Sequence, residues 1–576
     1  MAPEAAAAKA ASPIYSSDAM ADALRALGYR YLPLVPGSSF RGLHDSLVNY
    51  HGNTAPEIIL CLHEEVAVSL AHGYAKATGT PCAAVVHDLV GLMHASMAVY
   101  NAFCDQVPVV VLGGGGPVDT AIRRSKDWVH SAQTQTEQVR EFVKWVDEPA
   151  TTEATISAIY RAHQFAASAP PGPCYVTIDM GLQEELLAEN FRSPELSDYA
   201  PAPPIAPDPS VVERAIELLR GARFPLVVGG QVARDPAAAE LLGALVESLG
   251  AAYQDDDNLV GLATNHPLNL TGDDNLLKEA DVVLFTDVAD PSVLLPEGDA
   301  KPFLIDLSLG DLRIKSWSNA FGLPIRRDLH LLADPMAGLR ALAAHAATLP
   351  AEDQLRARKA AVTERAAALR DAEHAELAAH WDDSPIFGGR LIAETFAAVK
   401  DLDWFLILRN TRNWLEGVWE FTGSGQYLGH SGGGGVGYGP GAAVGGALAA
   451  RDRGQFAVGI VGDGDLLMAN TALWTAVHSK IPALFVVNDN RSFYNDETHQ
   501  QRVARSRKRP VENAGVGIAI DEPPVDFVAL ARAYGCFAEE TVTHPGDLAP
   551  ALDAGVKAVL AGGVAVIQAI TAPREG

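Results

Sequence analysis

Short, uninterrupted apolar runs alternate along this chain with longer segments of helical character, and the alternation recurs in three blocks. In the first block, which runs to about residue 190, EIILCL, CAAVVH, VPVVVLGG and CYVTID read as strands. Between them, EEVAVSLAHGYAKAT and SAIYRAHQFAAS read as helices. Strands that alternate with helices imply a parallel sheet with covering helices. The proline-rich stretch SDYAPAPPIAPDPS then leads to a second block with strand candidates PLVVGG, VVLFTDV and PFLIDL. AEDQLRARKAAVTERAAALRDAEHAELAAHW follows and reads as a long, solvated connecting helix. The last block has strands near DWFLIL, FAVGIVG, ALFVVN and GVAVIQAI. The expected fold class is α/β, with three doubly wound parallel-sheet domains at 1–190, 205–345 and 375–576.

Composition narrows the partners. The 576 residues carry a formal charge of −27, which argues against nucleic acid or an anionic membrane held by general electrostatics. QRVARSRKRP at 501–510 is a local basic exception. Hydrophobic residues make up 48%, enough for burial throughout, but no run reaches the length of a membrane span. The five cysteines form no CxxC pair and no zinc spacing, so a reduced, cytoplasmic setting is expected.

The stretch VGDGDLLMANTALWTAVHSKIPALFVVNDNRSFYND, residues 461–496, concentrates the chemistry. FAVGIV reads as a buried strand and Gly462 and Gly464 as a tight turn. Leu466, Leu467, Leu473, Trp474 and Val477 then give an apolar helical spacing. A strand, a glycine turn and a helix N-terminus favour a phosphate group, because backbone N–H groups there are free. Pro482 stops the helix, ALFVV makes the next strand, and Asn488, Asp489 and Asn490 fall at its end. Parallel neighbours place their carboxyl ends side by side, so Asp463 and an amide of this triplet can meet at one cation. A site of carboxylate, amide and carbonyl oxygens suits magnesium.

With GDG and NDN about twenty-five residues apart, the chain resembles the thiamine diphosphate-dependent enzymes of the decarboxylase and acetohydroxyacid synthase type. The resemblance implies thiamine diphosphate and Mg2+ as cofactors, with Asp463, Asn490 and the backbone carbonyl of Ser492 on the metal. Asp489 stands where the family usually has asparagine. LHEEVAVSLAHGYAKATGTP resembles the family's glutamate segment and puts Glu64, rather than Glu65, at the position that activates the aminopyrimidine. GHSGGGGVGYGPGAAVGGALA aligns Val436 with the wedge that bends the cofactor and Gly434 with a carbonyl for its amino group. The turn Gly462–Asp463–Gly464–Asp465, with Asn410 and Thr411, is expected to hold the diphosphate.

His87 replaces the Gly-Pro-Gly loop of many acetohydroxyacid synthases and matches an active-site histidine of benzoylformate decarboxylase-like sequences. Gln133, and with it His130, falls where relatives place a substrate-loop glutamine, while His94 reads as structural. The implied activity is C–C bond cleavage or carboligation on a 2-oxo acid, 1,2-dicarbonyl or aldehyde. Acetohydroxyacid synthase is the alternative reaction, and a cofactor-binding scaffold or regulatory subunit the alternative class. The family forms homodimers or homotetramers with sites between subunits. The central block has no glycine-rich phosphate fingerprint, so FAD is not expected.

Overall fold

A computed structural model describes residues 12–572 apart from 125, 257–258, 292–293, 296–301, 313–325, 351 and 412–413. These residues fall into two compact units. One comprises residues up to Ala71 together with Thr80–Ala202; the other takes in His72–Gly79 and everything from Pro203 onward.

The first unit is built on a six-stranded sheet of order β2-β1-β3-β4-β6-β5. Its strands are β1 (Tyr31–Leu34), β2 (Glu57–Leu60), β3 (Cys82–Val86), β4 (Val109–Gly115), β5 (Trp145–Asp147) and β6 (Cys174–Asp179). Every pairing is parallel. The central strands β3 and β4 are buried along their whole length, as both-face coverage by helices requires. The chain passes outward from β1 to β2 and then returns to lay β3 on the other side of β1. The strand order therefore reverses between β1 and β3, the kind of point in an open α/β sheet beyond whose carboxyl ends ligands bind. His87 and Asp88 are the first two residues after β3.

The second unit holds two parallel sheets. The central one has the order β11-β10-β9-β7-β8, from β7 (Pro225–Gly229), β8 (Ala252–Asp255), β9 (Val282–Thr286), β10 (Phe303–Ser308) and β11 (Leu329–Leu332). The helix Asp353–Ala379 follows it and buries only Leu355, Val362 and Ala366, so it is solvated as its charge pattern predicts. The last sheet runs β12-β13-β14-β15, from β12 (Trp404–Arg409), β13 (Phe456–Gly462), β14 (Ala483–Asp489) and β15 (Val564–Ile570). Its register sets Gly462 opposite Asn488, which brings the two turns of interest level with each other.

One local expectation needs correction. The single helix after the GDG turn is two helices, Asp463–Met468 and Thr471–His478. The break is held by Asn470, whose Nδ2 donates to the Leu467 carbonyl at 2.7 Å while its Oδ1 accepts from the Tyr534 hydroxyl at 2.6 Å. An asparagine side chain that bonds nearby backbone competes with helix continuation. Gly462 and Gly464 leave no Cβ in the way, as the turn requires: a Cβ on Gly464 would lie 2.8 Å from Cδ1 of Phe493, and one on Gly462 would lie 3.3 Å from Nδ2 of Asn410. After Ser492 the chain forms the helix Tyr494–Ser506.

Candidate active site

In the second unit, a cavity of 550 Å³ opens at the carboxyl ends of β12, β13 and β14. Its walls include Asn410, Thr411, Gly434, Val436, Gly462, Asp463, Gly464, Asp465, Asn490 and Ser492. Thus all the second-unit residues assigned by the resemblance meet at one place.

Asp463 is 4% exposed. One carboxylate oxygen, Oδ1, accepts from the Gly464 N–H at 2.7 Å, while Oδ2 is buried without a donor among the described residues. Burial, followed by the nearby Asp489 carboxylate, pushes the Asp463 carboxyl up to about 7. A carboxylate buried next to another with one oxygen unmatched calls for a positive charge. The triplet after it divides its duties. Asn488 Oδ1 accepts from the Thr571 hydroxyl at 2.6 Å. Asp489 Oδ2 accepts from Gln568 Nε2 at 2.7 Å, and its Oδ1 accepts from the Arg491 N–H at 3.2 Å. Among the described residues, Asn490 Oδ1 accepts only the Ser492 N–H, at 3.0 Å, which leaves it a lone pair for a cation. Ser492 is held in turn by its hydroxyl, which donates to Glu497 at 2.7 Å. The all-oxygen set of Asp463, Asn490 and the Ser492 carbonyl fits a hard divalent cation.

The glycine loop is built around Asp465. Its buried carboxylate accepts from the Gly437 N–H at 2.6 Å and from Asn410 Nδ2 at 3.3 Å. That side chain is therefore committed to holding the loop, which leaves its backbone to face a ligand. Gly434 and Gly437 have φ of +64° and +94°, conformations that favour glycine. The loop enters the helix Gly439–Arg453, which is buried from Gly439 to Ala450. Val436 is 47% exposed at the cavity, an apolar side chain set where a ligand would cover it. Thr411 Oγ1 is buried with no partner among the described residues. Since the helix Asp463–Met468 is only six residues long, attraction for a diphosphate comes from free N–H groups rather than from a long dipole.

The first unit gathers a second set of residues. Glu64 opens the helix Glu64–Thr78 and is 7% exposed. Its Oε2 accepts from His94 Nδ1 at 3.1 Å, and the His94 ring stacks on His63 with centroids 4.9 Å apart. Burial, then His94, holds the His63 imidazole below its ordinary range. The neighbouring Glu65 turns away and accepts from the Ala98 N–H at 3.0 Å; burial pushes its carboxyl up to about 7. His87 lies close to Glu64: a Cβ on Gly91 would sit 2.8 Å from His87 Cβ and 2.9 Å from Glu64 Oε1. His130 packs against the His87 ring at 5.3 Å between centroids.

Gln133 is not part of this group. It is exposed and lines a separate cavity of 370 Å³ with Asp127, Glu148 and Asp179. The glutamine that is buried here is Gln135, whose Nε2 donates to the Gly114 carbonyl and to the Tyr175 hydroxyl. Sequence reasoning also took His94 as structural. Its contact with Glu64 crosses thirty residues, and no sequence motif marks it.

Two family models match this chain. Residues 15–139 match the N-terminal thiamine pyrophosphate-binding domain of the thiamine pyrophosphate enzymes, and residues 410–569 match the C-terminal one. The chain is a member of this family, a thiamine diphosphate-dependent enzyme of the decarboxylase and carboligase class. It is 26% identical to a benzoylformate decarboxylase of Pseudomonas aeruginosa over 84% of this chain and 87% of the relative. It is 24% identical to a probable acetolactate synthase large subunit of Methanocaldococcus jannaschii, over 92% of this chain and 87% of the relative. In fold it matches a solved thiamine diphosphate-dependent 4-hydroxybenzoylformate decarboxylase of Rhodococcus jostii RHA1. The TM-score is 0.77 at 22% identity, with 98% of this chain and all of that one covered.

Proposed function

We propose that the protein cleaves the C–C bond next to the carbonyl of a 2-oxo acid or 1,2-dicarbonyl compound, and releases the remaining fragment as an aldehyde or joins it to a second carbonyl. The observation that carries this reading is the buried Glu64 carboxylate, held by His94 beside His87. It is a positioned acid with a histidine at hand for the substrate. Mg2+ would be held by Asp463, Asn490 and the Ser492 carbonyl, and the diphosphate by the backbone of Gly462–Asp465 with Asn410 and Thr411. Gly434 and Val436 would contact the rest of the cofactor.

Bound there, thiamine diphosphate supplies a carbon nucleophile and a sink for the electron pair left by C–C cleavage. Glu64 holds a proton at the cofactor's pyrimidine nitrogen, His94 keeps that carboxylate in place, and His87 carries protons to and from the substrate's oxygen or carbon. Residues 1–190 serve as the pyrimidine-binding domain, 205–345 as the central domain and 375–576 as the diphosphate-binding domain. The active form is a homodimer or homotetramer with its sites between subunits. The five cysteines, all free and buried, suit a cytoplasmic setting.

His87 favours cleavage of the benzoylformate decarboxylase type; the acetolactate synthase relative keeps acetohydroxyacid synthesis as the second reading. The test is to incubate the purified protein, with Mg2+ and thiamine diphosphate, with a panel of 2-oxo acids, diones and aldehydes and to identify the products by mass. Turnover should need the cofactor and fall about 10²–10⁴-fold in Glu64→Gln. A variant as active as the native enzyme would remove Glu64 from the mechanism, and no turnover on any substrate would favour a scaffold.

A further inference from the structure

Asp88 occupies the N-cap position of the helix Leu89–Cys104, where an aspartate ordinarily accepts from the first free N–H groups of the helix. Here it makes no side-chain cap; the N–H groups of Gly91 and Leu92 go to its backbone carbonyl instead. The carboxylate is turned to His87, with Oδ1 2.5 Å from Nδ1, in a residue only 2% exposed. Its own N–H donates to the Ser39 hydroxyl at 3.2 Å, which anchors it to the loop after β1.

An ionised carboxylate only accepts, so the close contact places the proton on Nδ1 and leaves Nε2 as the working nitrogen. The ring is confined on other sides as well. Gly37 leaves space for the Cδ2 edge, where any Cβ would collide, and His130 packs against it. The arrangement has the logic of a histidine oriented by a buried acid, set at the point where the strand order of the sheet reverses.

We propose that Asp88 is a positioning residue that fixes the Nδ1-protonated form of His87 and so sets Nε2 as the atom that exchanges protons with the substrate. This rests on the reading of His87 given above. In the working step Nε2–H passes its proton to the substrate-derived carbon or oxygen. The neutral ring, still donating Nδ1–H to Asp88, regains a proton at Nε2 from water, which leaves as hydroxide to the solvent. Atoms and charge balance without a further reactant.

The test uses the full chain and separates the two readings. In protein labelled with 15N-histidine, with the resonance assigned by His87→Gln, native His87 should show a protonated Nδ1. Asp88→Ala should shift the population towards the other tautomer, and Asp88→Glu should restore part of it. This measurement needs neither substrate nor cofactor. On the substrate found by the panel, Asp88→Asn and Asp88→Ala should lower kcat about 10²–10⁴-fold while KM changes about threefold or less. Exchange of the cofactor's C2 proton for deuterium, which depends on Glu64, should keep its native rate in these variants.

The proposal is overturned if the His87 tautomer is the same in Asp88→Ala, or if kcat is native in both variants. It is also overturned if the native protein carries stoichiometric zinc or iron that is lost in His130→Ala, because His87, Asp88 and His130 have ligand atoms within 4.8 Å of one another and would then be a metal site. Should the native protein lack both C2 exchange and turnover, the assigned reaction fails, and the tautomer still decides the role of Asp88.

Discussion

Replacing Asp463 by asparagine should have opposite effects on the empty protein and on the loaded one. The side chain is buried, its Oδ2 has no donor among the described residues, and Asp489 adds like charge. Burial first, and then Asp489, raise its carboxyl from 3.8 to about 7. The folded state therefore binds this proton more tightly than the unfolded one. The resulting stability is fully present below about pH 4 and is lost as the pH rises to about 7. At about 1.4 kcal/mol per unit, the ionised group costs metal-free protein roughly 2–3 kcal/mol more at pH 8 than at pH 5.

Asp463→Asn removes that charge at nearly constant shape. Without metal, it should be more stable than the native protein at pH 8, and the advantage should shrink towards pH 5. With Mg2+ and thiamine diphosphate at pH 8 the order should reverse, because the native protein gains the binding energy and the variant does not. Thermal unfolding followed by fluorescence, with and without chelator at the two pH values, reads all four states. Should metal-free Asp463→Asn show no advantage at pH 8, or gain as much from Mg2+ and cofactor as the native protein, the reasoning about this site is wrong.

Gly91→Ala places a methyl group within 3 Å of both His87 and Glu64. Turnover should fall at least tenfold although alanine is preferred by about 1 kcal/mol inside a helix, and circular dichroism should show the fold retained. Gly464→Ala pushes on the Phe493 ring, next to Ser492. Titration of cofactor binding should show an Mg2+ requirement raised about tenfold or more with Glu64-dependent chemistry intact at saturation, whereas an unchanged requirement would mean that Phe493 does not position Ser492.

The sheets that carry apolar runs were legible. FAVGIV and ALFVV are β13 and β14, and their register brought Asp463 level with the triplet. YLPL gave no such signal because Pro33 argues against an interior strand. The structure tolerates it because β1 pairs with β3 only at Leu34 and Val85, so few ladder bonds are asked of it on that side. Within the site, the family resemblance pointed to Asn490 but could not say what Asp489 does; its partner Gln568 lies 79 residues on. Asp88 was equally opaque. Its carboxylate faces His87 rather than the N–H groups of the helix that follows, a choice no motif marks. Gln133 illustrates the converse, a residue whose motif position was recognisable but which is exposed at a separate cavity while Gln135 is buried.

The ties from β14 to the last strand also set an order of events. Asn488 and Asp489 are held by Thr571 and Gln568, and the Thr571 N–H donates to the Asp489 carbonyl at 2.9 Å. The turn that bears Asn490 and Ser492 thus takes its shape from residues made some eighty positions later. A chain still emerging from the ribosome would have Asp463 and Asn490 in place as sequence but not as a clamp. On the proposed reading of this site, cofactor capture is then a late event of biosynthesis, after β15 has joined the sheet.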